Sequence, residues 1–308
     1  MTTATPHPAD ELLTVRDWLR FGVTTFERAG LAYGHGTANA LDEAAFLILS
    51  ALDLPIDTLD PWLDCRLTRP ERIKVHGILE ARATMRKPAA YLTRSAWIQG
   101  HKFYVDERVI IPRSYIGELL CRDGLSAVVP DPGAVADVLE LCTGSGCLAI
   151  LAALSFPAAH VTASDISGPA LDVARRNVDD YGLGDRVRLV PSDIYKSLGA
   201  ARFDLIIANP PYVTTAAVAA FPPEYRAEPE LAHLGGPDGL DLVHRILARA
   251  AEFLNDDGVL VVETGDAREA LEAARPDLPF LWLETETSTG EVFALTAADL
   301  AAATAGKS

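Results

Sequence analysis

The residue types best suited to chemistry stand together at positions 209–212, which are Asn-Pro-Pro-Tyr. They follow an apolar run, residues 203–208, that predicts a buried strand ending in a tight turn. Because proline has no backbone N–H, the main chain of this turn offers only acceptors. The side-chain oxygen of Asn209 and the carbonyl of Pro210 can accept both hydrogens of a planar NH2 group while Tyr212 packs over its face. The turn therefore predicts binding of an amide or an exocyclic amine, and a plain proline turn opened by Asn209 is the alternative.

A second group of candidate ligand-binding residues surrounds the stretch 140–146, Glu-Leu-Cys-Thr-Gly-Ser-Gly. Gly144 and Gly146 let the backbone approach a ligand closely at a helix N-terminus. Asp165 ends the next predicted strand, where its carboxylate can bind both hydroxyls of a ribose. Asp193 follows the third strand and can meet an adenine amino group. The predicted ligand is therefore nucleoside-like, although the loop also fits the Gly-x-Gly-x-x-Ala dinucleotide fingerprint and leaves a dehydrogenase open.

The elements that must position these residues alternate regularly after residue 137. Predicted strands cover 138–141, 161–164, 187–190, 203–208, 259–263, 280–284 and 292–295, and predicted helices cover 147–154, 169–181, 240–254 and 267–274. This alternation predicts an α/β fold with a doubly wound, mainly parallel sheet. Little room separates the last two strands, which we expect to form a terminal antiparallel pair.

The first part of the chain has a different pattern. Apolar residues at helical spacing predict helices over 11–30, 42–52 and 69–86. Strand signals follow, with a predicted hairpin that bends at Asp106 and Glu107. We therefore expect a helical domain for substrate recognition over 1–95, a β-hairpin linker over 96–113, a catalytic domain over 114–300 and a tail over 301–308.

Charge and composition exclude several classes of protein. The net charge of −16 is concentrated in residues 137–308, which carry −14, so free DNA is a poor substrate and a basic protein a good one. The interval 65–95 is the exception, with eight Lys or Arg against two Glu, and is either a solvated surface or a contact for RNA. The four cysteines form no metal-binding pattern. No apolar run is long enough to span a membrane and no signal peptide is evident, which predicts a cytoplasmic protein.

Several motifs together resemble class I S-adenosylmethionine-dependent methyltransferases of the HemK group, which methylate glutamine amides in proteins. They are the glycine-rich stretch 140–146, Asp-Ile-Ser at 165–167, Ser-Asp at 192–193, Asn-Pro-Pro-Tyr at 209–212 and Gly-Gly-Pro-Asp-Gly-Leu at 235–240. The stretches 33–37 and 104–114 resemble the branch that acts on large-subunit ribosomal protein three, uL3. The release-factor branch usually has Arg-Pro-Glu-Thr where this chain has Arg-Ser-Tyr-Ile at 113–116.

The resemblance implies roles for individual residues. The cofactor S-adenosylmethionine would be bound by Cys142, Thr143, Gly144, Ser145, Gly146, Asp165, Ile166, Asp193, Ile194 and Asn209. The substrate glutamine would be bound by Asn209, Pro210, Pro211 and Tyr212, of which Asn209, Pro210 and Tyr212 are the candidate catalytic residues. Glycine is more usual than cysteine at position 142 of such loops. No metal is implied.

Three hypotheses about the substrate remain open. The leading hypothesis is N(5)-methylation of a glutamine in uL3, either free or within a pre-ribosomal particle. The second is methylation of peptide-chain release factors at their Gly-Gly-Gln motif. The third is methylation of an exocyclic amine in a nucleic acid, because Asn-Pro-Pro-Tyr serves such enzymes too.

Overall fold

The computed structural model describes residues 7–286 and 288–305. The chain forms two compact units, the first comprising Met1–Ser95 with Phe221–Ala227 and the second comprising Ala96–Ala220 with Glu228–Ser308. The segment 96–113, predicted as a linker, thus belongs to the second unit. Of the predicted tail, residues 301–305 continue a helix, whereas 306–308 lie outside the described residues, as do residues 1–6 of the predicted helical domain.

The first unit is helical. Its helices are α1 (Pro8–Glu11), α2 (Val15–Ala29), α3 (Ala40–Ala51), α4 (Arg69–Met85) and α5 (Ala89–Thr93). The predicted helix over 11–30 is interrupted before Val15, because Thr14 and Asp17 form a capping box that starts α2 there. The apolar faces meet in a core that includes Trp18, Phe26, Leu47 and Leu79.

A buried cluster of charges joins parts of the first unit. Arg82 is fully buried and donates hydrogen bonds to Glu43 and, at 3.0 Å, to the carbonyl of Ala32. Arg86 lies 2.8 Å from Glu224, which belongs to the segment Phe221–Ala227. The expectation that the whole basic interval 65–95 forms one outward surface is therefore wrong for Arg82. Its charge is used internally, since a buried guanidinium needs a carboxylate partner.

The second unit begins with a short hairpin, strands β1 (Ser95–Ile98) and β2 (His101–Tyr104). A turn does form at Asp106, whose carbonyl accepts from the Val109 N–H at 3.1 Å, but no strand follows it directly. The predicted position of the hairpin bend is therefore wrong, because the hairpin turns at Gln99 and Gly100, both with positive φ. Such a pair matches the twist of a two-residue hairpin. Asp106 instead accepts hydrogen bonds from the side chains of Tyr104 and Arg108, so its polar character reflects local pairing after the strand.

A seven-stranded sheet organises the rest of this unit, in the order β5-β4-β3-β6-β7-β9-β8. The strands are β3 (Asp137–Leu141), β4 (His160–Asp165), β5 (Val187–Pro191), β6 (Phe203–Ala208), β7 (Leu254–Glu263), β8 (Leu281–Leu283) and β9 (Val292–Thr296). The five strands β3 to β7 are parallel to one another, whereas β9 is antiparallel to both β7 and β8. The predicted fold class, with its terminal antiparallel pair, is confirmed.

Helices cover both faces of this sheet. They are α6 (Tyr115–Asp123), α7 (Cys147–Ser155), α8 (Gly168–Asp180), α10 (Asp241–Phe253), α11 (Arg268–Ala274) and α12 (Ala297–Ala305). A short helix after β6, α9 (Thr215–Ala219), has no buried residue. Along β6, Leu205 and Ile207 pack into the core with α6, α7 and α8, while Ile206 packs into the core with α10, α11 and α12. Both faces of the parallel strands are therefore buried, which explains their continuous apolar sequences. Among the described residues, no helix is both long and apolar enough to cross a bilayer.

Candidate active site

The turn after β6 places Asn209 with a defined orientation of its amide. The Nδ2 of Asn209 donates to the backbone carbonyl of Arg113 at 3.3 Å. A carbonyl can only accept, so it selects the nitrogen end of the amide. Asn209 also lines a cavity of the second unit. Its oxygen is thus available as an acceptor at this cavity, as the turn chemistry requires.

Tyr212 is held by groups that follow β7, the neighbouring strand. Its hydroxyl donates to Glu263 at 3.2 Å. The ring packs so closely on Gly265 that a Cβ there would lie 2.7 Å from a ring carbon. Glu263 is buried and also accepts hydrogen bonds from the Ser114 hydroxyl at 2.6 Å and the Tyr115 N–H at 2.9 Å. Tyr212 therefore has one position, fixed from both its hydroxyl and its ring face.

The stretch Gly-Gly-Pro-Asp-Gly at 235–239 closes the turn from the other side. A Cβ on Gly235 would lie 2.7 Å from Tyr212 Cα, and one on Gly239 would lie 2.3 Å from the Tyr212 carbonyl oxygen. Val213 also exchanges backbone hydrogen bonds with His233 and Gly235, both at 2.9 Å. These glycines are required because two backbone segments touch, and they hold the end of the turn rigidly.

A cavity of about 200 Å³ lies beside the carboxyl ends of β3, β4 and β6. Of the predicted site residues, it is lined by Cys142, Gly144, Asp165, Ile166, Asp193, Ile194, Asn209 and Pro211. Apolar walls come from residues that were not predicted as site residues, among them Val109, Ile110, Leu231 and Leu242. Apolar walls with two carboxylates at one edge suit a ligand with a flat ring and a sugar.

The remaining predicted residues do not line this cavity. Thr143 is buried and donates to Glu140, and the carbonyl of Ser145 accepts from Asn177 at 2.8 Å. A Cβ on Gly146 would lie 3.1 Å from the Cβ of Ala174 in α8, so this glycine permits helix packing. Pro210 is buried, and Tyr212 packs on Gly265. The ligand-binding roles of these five residues stay predictions.

Comparison with known proteins places the chain among methyltransferases. The family model described as "Methyltransferase small domain" matches residues 125–221. The ribosomal protein uL3 glutamine methyltransferase of Burkholderia pseudomallei is 54% identical over 97% of this chain and 99% of its own length. That of Neisseria meningitidis serogroup B is 54% identical over 94% of each chain. The chain belongs to the family of ribosomal protein uL3 glutamine methyltransferases.

A solved structure agrees with the fold of this uL3 glutamine methyltransferase family member. The hMettl16 catalytic domain in complex with MAT2A 3'UTR hairpin 1 has a TM-score of 0.50 and 15% identity, covering 78% of this chain and 85% of that one. At such identity the likeness concerns the fold alone. The resemblance that the motifs indicated is confirmed by the relatives. Methyltransferases of this family take their methyl group from S-adenosylmethionine, the cofactor that the sequence predicts.

The lining of the cavity fits this cofactor. A Cβ on Gly144 would meet no atom within 4 Å, and its φ of +54° is a conformation that glycine adopts at no cost. The chain thus leaves open space where the loop backbone faces the cavity. Cys142 has a φ of +59°, which explains why methyltransferases with such loops usually have glycine there. Burial raises the pKa of the Cys142 thiol, so it stays protonated and unreactive.

The two carboxylates predicted for the nucleoside have partners within the chain. Asp165 accepts from the Gly144 N–H and the Ser167 N–H, both at 2.8 Å, one on each oxygen. A carboxylate has about four acceptor positions, so each oxygen keeps capacity for a ribose hydroxyl. Burial raises the pKa of Asp165. Asp193 pairs with Arg245 at 2.7 Å, which orients its carboxylate at the cavity edge.

Several residues that shape this methyltransferase site were not among the predicted catalytic or binding residues. They are Arg113, Glu140, Glu228, Glu263 and Gly265. Glu263 ends a predicted strand next to the one that leads into Asn209, so its position at the carboxyl edge was a usable signal. Arg113, Glu228 and Gly265 act through contacts with residues distant in the sequence, whereas Glu140 contacts the nearby Thr143. Glu224 and Glu228 lie in the long loop between β6 and α10, and both side chains are buried.

Proposed function

We propose that this protein transfers the methyl group of S-adenosylmethionine to the side-chain amide nitrogen of a glutamine in ribosomal protein uL3. The observation that carries the proposal is the orientation of Asn209. Its nitrogen is engaged by the Arg113 carbonyl, which leaves its oxygen as an acceptor beside the cofactor cavity. The named activity of the relatives supports the same substrate.

The residues of the turn would act by orienting the substrate. A carboxamide nitrogen is a poor nucleophile, because its lone pair is delocalised into the carbonyl. Asn209 Oδ1 and the Pro210 carbonyl would accept its two hydrogens and so aim the lone pair out of the amide plane. Alignment of this kind can lower the activation barrier by roughly several kcal/mol. Tyr212, fixed by Glu263 and Gly265, would pack over the amide.

The same acceptors would also stabilise the transition state. Positive charge grows on the amide nitrogen during transfer, and two oxygens directed at its hydrogens are placed where that charge develops. Bound S-adenosylmethionine supplies the methyl group on a positively charged sulfur. As the nitrogen–methyl bond forms, the sulfur–methyl bond would break and its electron pair would stay on sulfur, which leaves S-adenosylhomocysteine. The methylated amide would then lose a proton to solvent without a dedicated base. Gly144, Asp165, Ile166, Asp193 and Ile194 would hold the cofactor from the cavity wall.

The charge distribution supports a basic protein partner. Residues 137–308 carry −14, which attracts a basic ribosomal protein and repels free DNA. We assign the reaction to the cytoplasm, on uL3 either free or in a pre-ribosomal particle. Contact with ribosomal RNA would then involve the exposed cations of the interval 65–95, such as Arg66 and Arg94, and not the buried Arg82.

The decisive experiment measures transfer of labelled methyl from S-adenosylmethionine to purified uL3 and, separately, to release factor. We expect label on a glutamine of uL3 with the wild type and at least a 100-fold lower rate with Asn209→Ala, about the effect of losing an oriented acceptor. Label on release factor alone would assign the chain to that substrate. Label on neither protein would reject the proposal.

A further inference from the structure

Arg113 has two contacts that serve different purposes. Its backbone carbonyl accepts the hydrogen of Asn209 Nδ2, as described above. Its guanidinium reaches Glu228, with Nη1 donating to Oε1 and Nη2 donating to Oε2, both at 2.8 Å. Two parallel hydrogen bonds between a guanidinium and a carboxylate fix the plane and the distance of both groups.

Glu228 also fixes the backbone beside Arg113. Its Oε1 accepts from the Ile111 N–H at 2.8 Å, while the guanidinium of Arg113 donates to the Ile111 carbonyl at 3.2 Å. The Glu228 side chain is fully buried, and His233 Nε2 lies 3.1 Å from its second oxygen. The segment 111–113 is thereby held through the N–H and the carbonyl of Ile111 and through the side chain of Arg113. Such a segment has little freedom to move its next carbonyl, that of Arg113.

The orientation of Asn209 depends on that carbonyl. The two ends of a side-chain amide have nearly the same shape but opposite hydrogen-bonding character. A rotation of the amide by half a turn would direct an NH2 group at the cavity, where it would repel the hydrogens of a substrate amide. The Arg113 carbonyl opposes this rotation only while it stays within hydrogen-bonding distance. The orientation of the candidate catalytic side chain is therefore set by a pair more than a hundred residues apart in the sequence.

We propose that Arg113 and Glu228 are positioning residues for the methyl transfer, which hold the Arg113 carbonyl against Asn209 and so keep the Asn209 oxygen directed at the substrate. This role rests on the proposed function of Asn209. It also predicts which kinetic parameter a disturbance of this pair would change. The turnover number should fall, because fewer molecules present the acceptor, whereas the affinity for S-adenosylmethionine should change little.

The test uses Glu228→Gln and Arg113→Lys in the full chain. Glutamine keeps the shape of Glu228 but cannot accept from both guanidinium nitrogens, and lysine keeps the charge of Arg113 without its planar fork. Matched controls are Asp277→Asn and Arg275→Lys. Arg275 and Asp277 form a similar pair with two hydrogen bonds, each of 2.9 Å, and neither residue lines the cavity. If Glu228→Gln does not fold, the proposal is tested with Arg113→Lys alone. The Arg113 side chain is one-third exposed, whereas that of Glu228 is fully buried.

Two readouts separate positioning from general damage. For both site variants we expect kcat on uL3 to fall about 10- to 100-fold, with the dissociation constant of S-adenosylmethionine within about twofold of the wild type. The side-chain NH2 signals of Asn209 in a nitrogen-15 NMR spectrum, assigned by their loss in Asn209→Ala, should shift or broaden. The control variants should leave kcat and these signals unchanged.

The opposite results overturn the proposal. Asn209 signals at their wild-type positions in both site variants would show that the pair does not hold the amide. A loss confined to cofactor affinity would assign the pair to the cavity wall, through Pro229 and Leu231, instead of the turn. The NMR measurement needs no substrate. If the wild type fails to methylate uL3, the proposed function fails while the positioning role is still tested.

Discussion

The hydroxyl of Tyr212 donates a hydrogen bond to Glu263 across 3.2 Å, which joins the turn after β6 to the end of β7. Burial raises the pKa of Glu263 to about 7 and also raises the pKa of Tyr212. Glu263 accepts from Tyr212, Ser114 and the Tyr115 backbone, so its ionised form serves three donors at once. The carboxylate is therefore a single anchor for the turn and for the start of α6.

This anchor predicts a pH dependence of catalysis. Below about pH 7 Glu263 becomes protonated, one of its oxygens becomes a donor, and its hold on Tyr212 weakens. We expect kcat to fall as pH decreases through about 7 in the wild type, since neither the substrate amide nor Asn209 titrates there. Glu263→Gln should have a lower kcat that stays flat over pH 6–8. The test measures kcat against pH at saturating S-adenosylmethionine. The same pH dependence in the wild type and in Glu263→Gln would contradict the assignment of the titration to Glu263.

Glu140 predicts a pH dependence of stability. Burial raises its pKa from 4.5 to about 8, so between these values the folded protein keeps a proton that the unfolded chain releases. The free energy of unfolding contributed by this group is therefore complete below pH 4.5 and is lost as pH rises through about 8. Glu140→Gln does not titrate, so its melting temperature relative to the wild type should rise by several degrees between pH 5 and pH 8, at about 2–4 °C per kcal/mol.

The control for this experiment is Glu252→Gln, the same chemical change at an exposed position whose pKa is lowered by its hydrogen bond with Arg249. The melting temperature of Glu252→Gln relative to the wild type should not rise between pH 5 and pH 8. A melting-temperature difference for Glu140→Gln that is constant across this pH range would mean that Glu140 is ionised in the folded protein.

Gly265 should be intolerant of a side chain. A Cβ at this position, where φ is +54°, would lie 2.7 Å from the ring of Tyr212. We expect Gly265→Ala to lower kcat on uL3 at least tenfold through displacement of Tyr212, and to cost roughly 1–3 kcal/mol of stability from backbone strain. Gly184→Ala is the comparison, because its Cβ would meet nothing within 4 Å and its φ is not positive. Equal activity of the two variants would show that Tyr212 tolerates displacement.

Gly144 allows the effects of cavity space and backbone strain to be separated. Gly144 and Gly199 both have positive φ, +54° and +65°, and neither would have a contact for a Cβ. Only Gly144 lines the cavity. Calorimetric titration with S-adenosylmethionine should show at least a tenfold weaker affinity for Gly144→Ala and wild-type affinity for Gly199→Ala, with similar losses of stability. Similar affinities for the two variants would place the cofactor away from this loop.

The amino-acid sequence was enough to predict the alternation of strands and helices, the class of the fold and the residues that follow each strand. These depend on local patterns, because the apolar runs of 138–141 and 203–208 can be buried only between helices, and parallel strands bring their carboxyl ends to one edge. Asp165, Asp193 and Asn209 could be found in this way. The motifs around them also carried the family resemblance that the relatives confirm.

The contacts that hold these residues in place could not be predicted from local sequence patterns. Arg113 lies 96 residues from Asn209, and Ser114 lies 149 residues from Glu263. Neither pair leaves a periodic signal, since a buried ion pair or hydrogen bond is formed by whichever polar groups the packing brings together. The hairpin bend was misplaced for a related reason. The polar residues at 106–107 do form a turn, but no strand follows it directly, and the hairpin itself turns with positive φ at Gln99 and Gly100. Local sequence therefore specified which groups could do the chemistry, and long-range packing specified their orientation.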